Sequence, residues 1–157
     1  MALPVALQLY SVRDDFQKDM PGTLRAVREM GYTGVEFAGL FDRSAAEMKQ
    51  LLADADLTAV SAHVPLAEML ADPDKTFACY KEIGCDFVAV PYLGEEDRPG
   101  AAKFAQTLAD IERLGNIAAK HGVTLLYHNH DFEFVKLDGE YGLDVMYKTI
   151  PASALQT

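Results

Sequence analysis

Short apolar segments alternate with longer amphipathic segments along the whole chain. Five of the short segments have the length and the β-branched or aromatic content of buried strands. Their alternation with helix-length segments is typical of an α/β fold built on a parallel sheet. The strands that this pattern predicts are Val5–Tyr10, Gly34–Phe37, Thr58–His63, Phe87–Pro91 and Val123–His130.

The segments between the predicted strands carry apolar residues at the three- and four-residue spacing of amphipathic helices. In the last of them, Phe104, Leu108 and Ile111 share one helical face. Three of the helices are followed by a glycine, which readily adopts the left-handed conformation that ends a helix. The predicted helices are Met20–Met30, Ser44–Asp54, Asp74–Ile83 and Ala101–His121, and the glycines are Gly31, Gly84 and Gly122.

Successive strands begin about 30 residues apart, which matches one unit of a (β/α)8 TIM barrel of about 250 residues. Five such units occupy the whole chain. The predicted fold is therefore a partial (β/α) TIM barrel with about five of eight units, forming a single domain over residues 1–157. A turn at Asp138-Gly139 and a short helix that stops at Pro151 follow the fifth strand, and residues 152–157 resemble the approach to a sixth. Because an open sheet has unpaired edges, we expect a homo-oligomer or a missing second half.

The acidic composition limits the partners of this chain. The formal net charge is −10 at pH 7, and no cluster of lysine and arginine interrupts it. Such a surface repels phosphate backbones and anionic lipids, so neither nucleic acid nor a membrane is expected as a partner. The chain begins without a basic and apolar leader, and Cys79 and Cys85 lie outside the CxxC spacing of redox or zinc motifs. We therefore expect a cytoplasmic domain with two buried thiols.

Candidate chemistry lies at the carboxyl ends of the predicted strands, where parallel β/α barrels place their active sites. The polar residues there include Gln8, Tyr10 and Tyr92. Glu36 interrupts a buried run and needs a partner, a ligand or water, although a structural ion pair would explain it equally well. His63 ends the third strand, where the alternative is a structural histidine with its hydrogen bonds satisfied.

The densest cluster of polar side chains is His128-Asn129-His130-Asp131-Phe132-Glu133, directly after the apolar part of the fifth strand. The two-residue period of a strand places His128 and His130 on one face. If these imidazoles face the barrel axis, they can ligate a metal or bind a sugar hydroxyl, with Glu133 reaching inward from the loop above. The structural alternative is an edge strand with a solvated end.

Four segments resemble the sugar phosphate isomerase/epimerase family, a group of xylose isomerase-like TIM barrels. They follow one another in the family's order over the entire chain, and the resemblance implies a barrel of eight units that isomerises or epimerises a sugar or sugar derivative. The segments are residues 7–14 (LQLYSVRD), 31–39 (GYTGVEFAG), 61–63 (SAH) and 127–134 (YHNHDFEF).

The chemistry that the resemblance implies is proton removal next to a carbonyl. A divalent metal ion, Mn, Mg, Co or Zn, would stabilise the enediolate. The resemblance implies Glu133 and His130 as catalytic residues, and Glu133 and His128 as metal ligands. The residues expected to contact the sugar are Tyr10, Glu36, His63 and His128.

The remaining metal ligands of such barrels lie on the sixth, seventh and eighth strands, so this chain alone is expected to be catalytically incomplete. The resemblance leaves a dehydratase or lyase acting on a keto-inositol or keto-glycoside as an alternative. A second alternative is a non-catalytic half-barrel that assembles through its open sheet edges. The zinc endonuclease branch of the superfamily is disfavoured by the acidic charge.

Overall fold

The computed structural model describes residues 4–157, so the first three residues of the predicted domain lie outside it. Its centre is one five-stranded parallel sheet in the order β1-β2-β3-β4-β5. Strands that are neighbours in sequence are therefore neighbours in the sheet, which confirms the predicted partial barrel. The strands are β1 (Ala6–Gln8), β2 (Gly34–Ala38), β3 (Thr58–His63), β4 (Phe87–Val90) and β5 (Thr124–Tyr127).

The helices follow the predicted pattern, with two additions. Helices α2, α3, α5 and α6 match the four predicted helices to within three residues at either end, and α7 is the short helix before Pro151. Helices α1 and α4 are not predicted, because six residues form less than two turns and show no periodicity. The helices are α1 (Arg13–Lys18), α2 (Met20–Glu29), α3 (Ala45–Asp54), α4 (Leu66–Ala71), α5 (Pro73–Ile83), α6 (Phe104–Lys120) and α7 (Gly142–Thr149).

Local sequence sets the ends of several elements. The hydroxyl of Ser44 accepts a hydrogen bond from the Glu47 N–H, and the Glu47 carboxylate accepts one from the Ser44 N–H, so a complete capping box begins α3. Gly84 ends α5 with a φ of 112°, as predicted. The predicted turn at Asp138-Gly139 joins two short antiparallel strands, β6 (Lys136–Leu137) and β7 (Glu140–Tyr141).

The helices cover one face of the sheet, and the other face is open in the described part of the chain. Helix α2 packs on α3, α3 on α5, and α5 on α6. On the covered face, Val35, Val88 and Leu125 are at most 1% exposed. On the uncovered side of the sheet, Phe87 remains 38% exposed. The sheet is thus part of a barrel wall and not a closed barrel.

The fifth strand is shorter than predicted. Strand β5 ends at Tyr127, three residues before the expected end at His130. The neighbouring strand β4 ends at Val90, whose carbonyl accepts the last ladder hydrogen bond from the His128 N–H at 3.1 Å. Beyond this bond the chain has no strand to pair with, so residues 128–130 form the start of a loop.

Strands β1 and β4 also end before the predicted residue. Strand β1 ends at Gln8, not at Tyr10, because the chain tightens into a 3-10 turn over Leu9–Val12. Strand β4 stops at Val90 because Pro91 has no N–H to donate to a neighbouring strand.

Strand β3 contains one residue more than its partner β2 along the paired segment. Val35 pairs with Ala59 and Glu36 pairs with Ser61, so Val60 has no partner in β2. Such a bulge shifts the phase of side-chain alternation in the strand that contains it. Its effect here is to bring Ser61 beside Glu36.

The C-terminal segment adds a parallel pairing at the edge of β5. Gln156 forms a parallel bridge with Leu126. The Tyr127 N–H donates to the Gln156 carbonyl at 2.9 Å, and the Gln156 N–H donates to the Leu125 carbonyl at 3.0 Å. Residues 152–157 therefore run toward a sixth strand position, as the sequence predicts.

Both cysteines are free thiols, and the helices can be compared with the length that a membrane span requires. Neither cysteine is in a disulfide; Cys85 is buried as predicted, whereas Cys79 is only half-buried. Among residues 4–157, every helix is too short or too polar to cross a bilayer.

Buried ionisable groups predict a loss of stability at alkaline pH. Burial raises the pKa of the Cys85 thiol to about 12 and raises the pKa of Tyr80 well above its usual range. In the unfolded chain these groups titrate near their ordinary values of about 8.5 and 10. The stability that they contribute is fully present below those values and is lost as pH rises through the folded-state pKa values.

We expect urea unfolding to give a nearly constant free energy between about pH 7 and pH 8 and a decreasing one above it. The variant Cys85→Ala should show a shallower decrease between about pH 8.5 and pH 10, because one of the titrating groups is gone. A free energy of unfolding that stays constant through about pH 11 would contradict this expectation.

Candidate functional site

A cavity of about 600 Å³ opens at the carboxyl ends of the sheet strands. This is the position at which parallel β/α barrels place their active sites. Four of the predicted site residues line the cavity: Tyr10, His63, His128 and His130. Gln8 and Tyr92, polar residues expected at the strand ends, also line it, and Glu68 joins them without having been predicted.

His63 is held between an amide and a carboxylate. Its Nε2 lies 3.3 Å from Oε1 of Glu36, and its Nδ1 lies 3.2 Å from Nε2 of Gln8. The amide nitrogen of Gln8 can only donate, so Nδ1 of His63 accepts and Nε2 carries the proton toward Glu36. The hydroxyl of Ser61 donates to the second oxygen of Glu36. The Glu36 carboxylate therefore fixes the tautomer in which Nε2 of His63 carries the proton.

Burial lowers the pKa of His63, and the Glu36 carboxylate opposes that effect only in part. The nearby imidazoles of His128 and His130 lower it further. A lowered pKa leaves the ring neutral at physiological pH. The arrangement is thus a neutral imidazole, one nitrogen of which can accept a proton, with a carboxylate at the other nitrogen.

The imidazoles of His128 and His130 form a cluster with that of His63. The ring centroids of His63 and His128 are 4.8 Å apart, and those of His128 and His130 are 5.0 Å apart. The ring of His130 is parallel to that of Phe132 at 5.5 Å, and Tyr92 meets it edge-on at 5.1 Å. Nδ1 of His130 is buried without a hydrogen-bond partner among the described residues, which marks a position for a ligand or water.

Glu133 is buried in the protein interior and does not line this cavity, contrary to the expectation that its side chain reaches toward the barrel axis. It is fully buried, in a 3-10 turn over Phe132–Phe134. Its Oε1 accepts from the Tyr127 hydroxyl at 2.5 Å, and its Oε2 accepts from the His130 N–H at 2.7 Å. Burial and this hydrogen bond raise the pKa of Tyr127. In this conformation Glu133 holds the loop that carries the two histidines.

The sequence matches a family model described as xylose isomerase-like TIM barrel over residues 24–141. The chain belongs to this family. The match confirms the resemblance seen in the sequence. A comparison with curated proteins gives no match.

Solved structures of xylose isomerase-like barrels share the fold. A sugar phosphate isomerase/epimerase from Parabacteroides distasonis superposes with a TM-score of 0.79 at 22% identity, over 97% of this chain and 63% of that one. A xylose isomerase-like TIM barrel protein from Mycobacterium smegmatis in complex with magnesium gives 0.73 at 16% identity, over 97% and 62%. A D-psicose 3-epimerase in the presence of D-fructose gives 0.61 at 13% identity, over 88% and 56%. The chain thus spans less than two thirds of the length of these structures.

The described residues of this family member do not fit a metal ion by themselves. Within residues 4–157, no group of three or more His, Cys, Asp or Glu side chains is arranged to hold one. Both carboxylate oxygens of Glu133, a predicted ligand, already accept hydrogen bonds, and His128 is exposed. The predicted Mn, Mg, Co or Zn site therefore stays a prediction.

Several neighbours of the site could not be found from the sequence pattern of this xylose isomerase-like barrel. Glu68 lies on α4, a helix too short to show periodicity. The hydroxyl of Tyr92 accepts a hydrogen bond from Arg98, whose guanidinium carbon lies 4.1 Å from the centroid of the Phe132 ring. Arg98 lies in a polar loop with no motif around it, and only the folded structure brings it onto the aromatic cluster.

Proposed function

We propose that this cavity belongs to a sugar isomerase or epimerase that moves a proton next to a carbonyl group. The observation that carries the proposal is His63 at the cavity wall, with Glu36 at its Nε2 and an accepting Nδ1. An imidazole oriented by a carboxylate is the usual arrangement of a general base. The family supports the same conclusion, since one structural neighbour is a sugar phosphate isomerase/epimerase and another is an epimerase.

In the proposed reaction, His63 removes the proton from the carbon beside the carbonyl. The Gln8 amide moves aside, the C–H bond breaks, and the proton goes to Nδ1 of His63. The electron pair forms the carbon–carbon double bond of an enediolate, and the former carbonyl oxygen takes the negative charge. The Glu36 carboxylate, 3.3 Å from Nε2, stabilises the imidazolium that results.

The other histidines complete the proposed cycle. His130 lines the cavity and donates a hydrogen bond or a proton to the enediolate oxygen. His128 and Tyr10 line the cavity and contact the sugar hydroxyls. Return of the proton from His63 to the neighbouring carbon gives an isomer, whereas an epimer requires a second acid that protonates the same carbon from the opposite face.

Solvent exchange tests this proposal directly. The chain is incubated in D2O with a panel of free and phosphorylated ketoses, and proton NMR follows loss of the signal from the carbon beside the carbonyl. Exchange needs only the proton-removal step, whose proposed residues all lie in this chain, so we expect exchange with at least one sugar although the complete reaction is expected to need the rest of the barrel. His63→Asn should slow the exchange by about 100-fold or more. The matched control is His121→Asn, because His121 pairs with Asp74 at 2.8 Å outside the cavity.

Each outcome of this experiment decides a point. If no sugar in the panel exchanges with the wild-type chain, the proposed reaction is wrong. Equal rates for wild type and His63→Asn would remove His63 as the base. Loss of water from the sugar during exchange would favour the dehydratase, which begins with the same proton removal.

A further inference from the structure

We propose that the cavity accepts uncharged sugars and that Glu68 excludes phosphorylated and carboxylated ones, an inference that rests on the proposed sugar-processing role of the cavity. Glu68 belongs to the first turn of α4, and it lines the cavity. It is thereby a specificity-determining residue of the site.

The charge of the cavity wall is the first support. Among the described residues that line the cavity there is no lysine or arginine, and Glu68 is the carboxylate among them. A second carboxylate, that of Glu36, lies directly behind His63. Protein sites for phosphate or carboxylate groups usually supply arginine, lysine or free backbone N–H groups. An anionic sugar here would meet two like charges without a counterion.

Two arginines that contact the lining residues Tyr10 and Tyr92 lie over tyrosine and phenylalanine rings. The Arg13 guanidinium lies 4.3 Å from the ring centroid of Tyr10 and donates to the carbonyl of the same residue at 2.9 Å. The Arg98 guanidinium lies over the rings of Tyr92 and Phe132, at 5.0 and 4.1 Å. Neither arginine is among the residues that line the cavity.

Lys103, beside the cavity, is paired with a carboxylate. Lys103 lines a neighbouring groove of about 410 Å³ that shares Pro65, Pro91 and Tyr92 with the cavity. Its Nζ lies 3.0 Å from Oε1 of Glu96. Lys103 on the groove side is thus paired with a carboxylate.

Two exposed aromatic rings suit a neutral sugar. Tyr10 and Tyr92 are 58% and 51% exposed, they line the cavity, and they follow different strands of the sheet. Rings of this kind pack on the C–H faces of a sugar, and their hydroxyls bind its oxygens. Carboxylates such as that of Glu68 accept hydrogen bonds from sugar hydroxyls. These contacts favour a neutral polyol over an anion.

Paired ligands test the inference on the 157-residue chain. Amide chemical shifts are followed during titration with D-fructose and with D-fructose 6-phosphate, at low salt and at about pH 8, where ordinary histidines are neutral. We expect D-fructose to shift cavity residues at a Kd at least about tenfold below that of the phosphorylated sugar. In 1 M NaCl, where the Debye length is about 3 Å, the phosphorylated sugar should bind more tightly than at low salt and D-fructose should not.

The variant Glu68→Gln removes the charge and keeps the size of the side chain. It should raise the affinity for the phosphorylated sugar by about fivefold relative to the affinity for D-fructose. The matched control is Glu82→Gln, an exposed glutamate of α5 that does not line the cavity, and it should change neither affinity.

The two proposals fail differently. Tighter binding of the phosphorylated sugar by the wild-type chain overturns the charge exclusion and still supports a sugar site. An unchanged preference in Glu68→Gln shows that Glu68 is not the determinant. Absence of any cavity shift with either sugar overturns both the exclusion and the proposed sugar-processing function.

Discussion

Replacing Glu133 by alanine is expected to lower the free energy of unfolding by about 3 kcal/mol or more, because it leaves two buried donors without an acceptor. The donors are the Tyr127 hydroxyl and the His130 N–H, at 2.5 and 2.7 Å from the two carboxylate oxygens. Glu133 is fully buried, so water cannot replace the lost carboxylate without opening the loop. Urea unfolding of the wild type and Glu133→Ala at pH 7 measures the difference.

Two further variants separate the structural role of Glu133 from a chemical one. Tyr127→Phe removes one donor and leaves the carboxylate bound to the His130 N–H, so it should cost about 1 kcal/mol. Glu133→Gln keeps an acceptor of similar shape and should cost less than Glu133→Ala. If Glu133→Gln folds normally but no longer exchanges sugar protons, the predicted role as base or ligand gains support. Wild-type stability of Glu133→Ala would show that the carboxylate does not hold the loop.

A second large effect is expected from Gly115→Ala in α6. A Cβ at this position would lie 1.9 Å from the carbonyl oxygen of Ala154. Alanine is ordinarily favoured over glycine in a helix by about 0.5–1 kcal/mol. Here overpacking against a backbone atom outweighs that gain, and we expect a net loss of about 2–3 kcal/mol in the free energy of unfolding. Urea unfolding gives the value, and amide hydrogen exchange of Gln156 shows whether the C-terminal segment leaves the sheet edge.

The matched control is the neighbouring helical residue. Asn116 is exposed, so Asn116→Ala should be neutral or stabilising by a few tenths of a kcal/mol. A Gly115→Ala variant that is more stable than the wild type would mean that the C-terminal segment does not pack on α6 in solution.

The fold was largely predictable because its signals are local and repeated. Each of the first four βα units shows a strand followed by a helix of ten residues or more, and glycines such as Gly84 end the helices where the pattern stops. The missed helices, α1 and α4, are each six residues long. Such short helices depend on tertiary packing, and residues like Phe16 and Met69, both fully buried, supply it.

The site was predictable in part, because strand ends are visible in sequence but their partners are not. The sequence identifies Tyr10, His63, His128 and His130, and the structure brings all four to one cavity. It does not show whether a carboxylate points into the cavity or away from it. Glu133 binds the Tyr127 hydroxyl in the protein interior and not the cavity, because the chain leaves the strand before His128. No local sequence pattern marks that early end.

The Glu36–His63 pair depends more on the number of residues in β3 than on which residues they are. Side chains alternate in direction along a strand, so each residue added or removed turns everything beyond it to the other face. Val60 is the extra residue of β3 opposite β2, and its side chain is 40% exposed. Substitutions at Val60 are therefore tolerable, and its deletion would leave Ser61 opposite Glu36 and His63 opposite Ala38. Deletion of Ala62, beyond the bulge, would instead bring His63 opposite Phe37, on the face toward the helices, and separate acid from imidazole with every functional side chain still present. In an engineered version of this barrel wall, the length of β3 is thus a determinant of function that residue-by-residue mutagenesis would not detect.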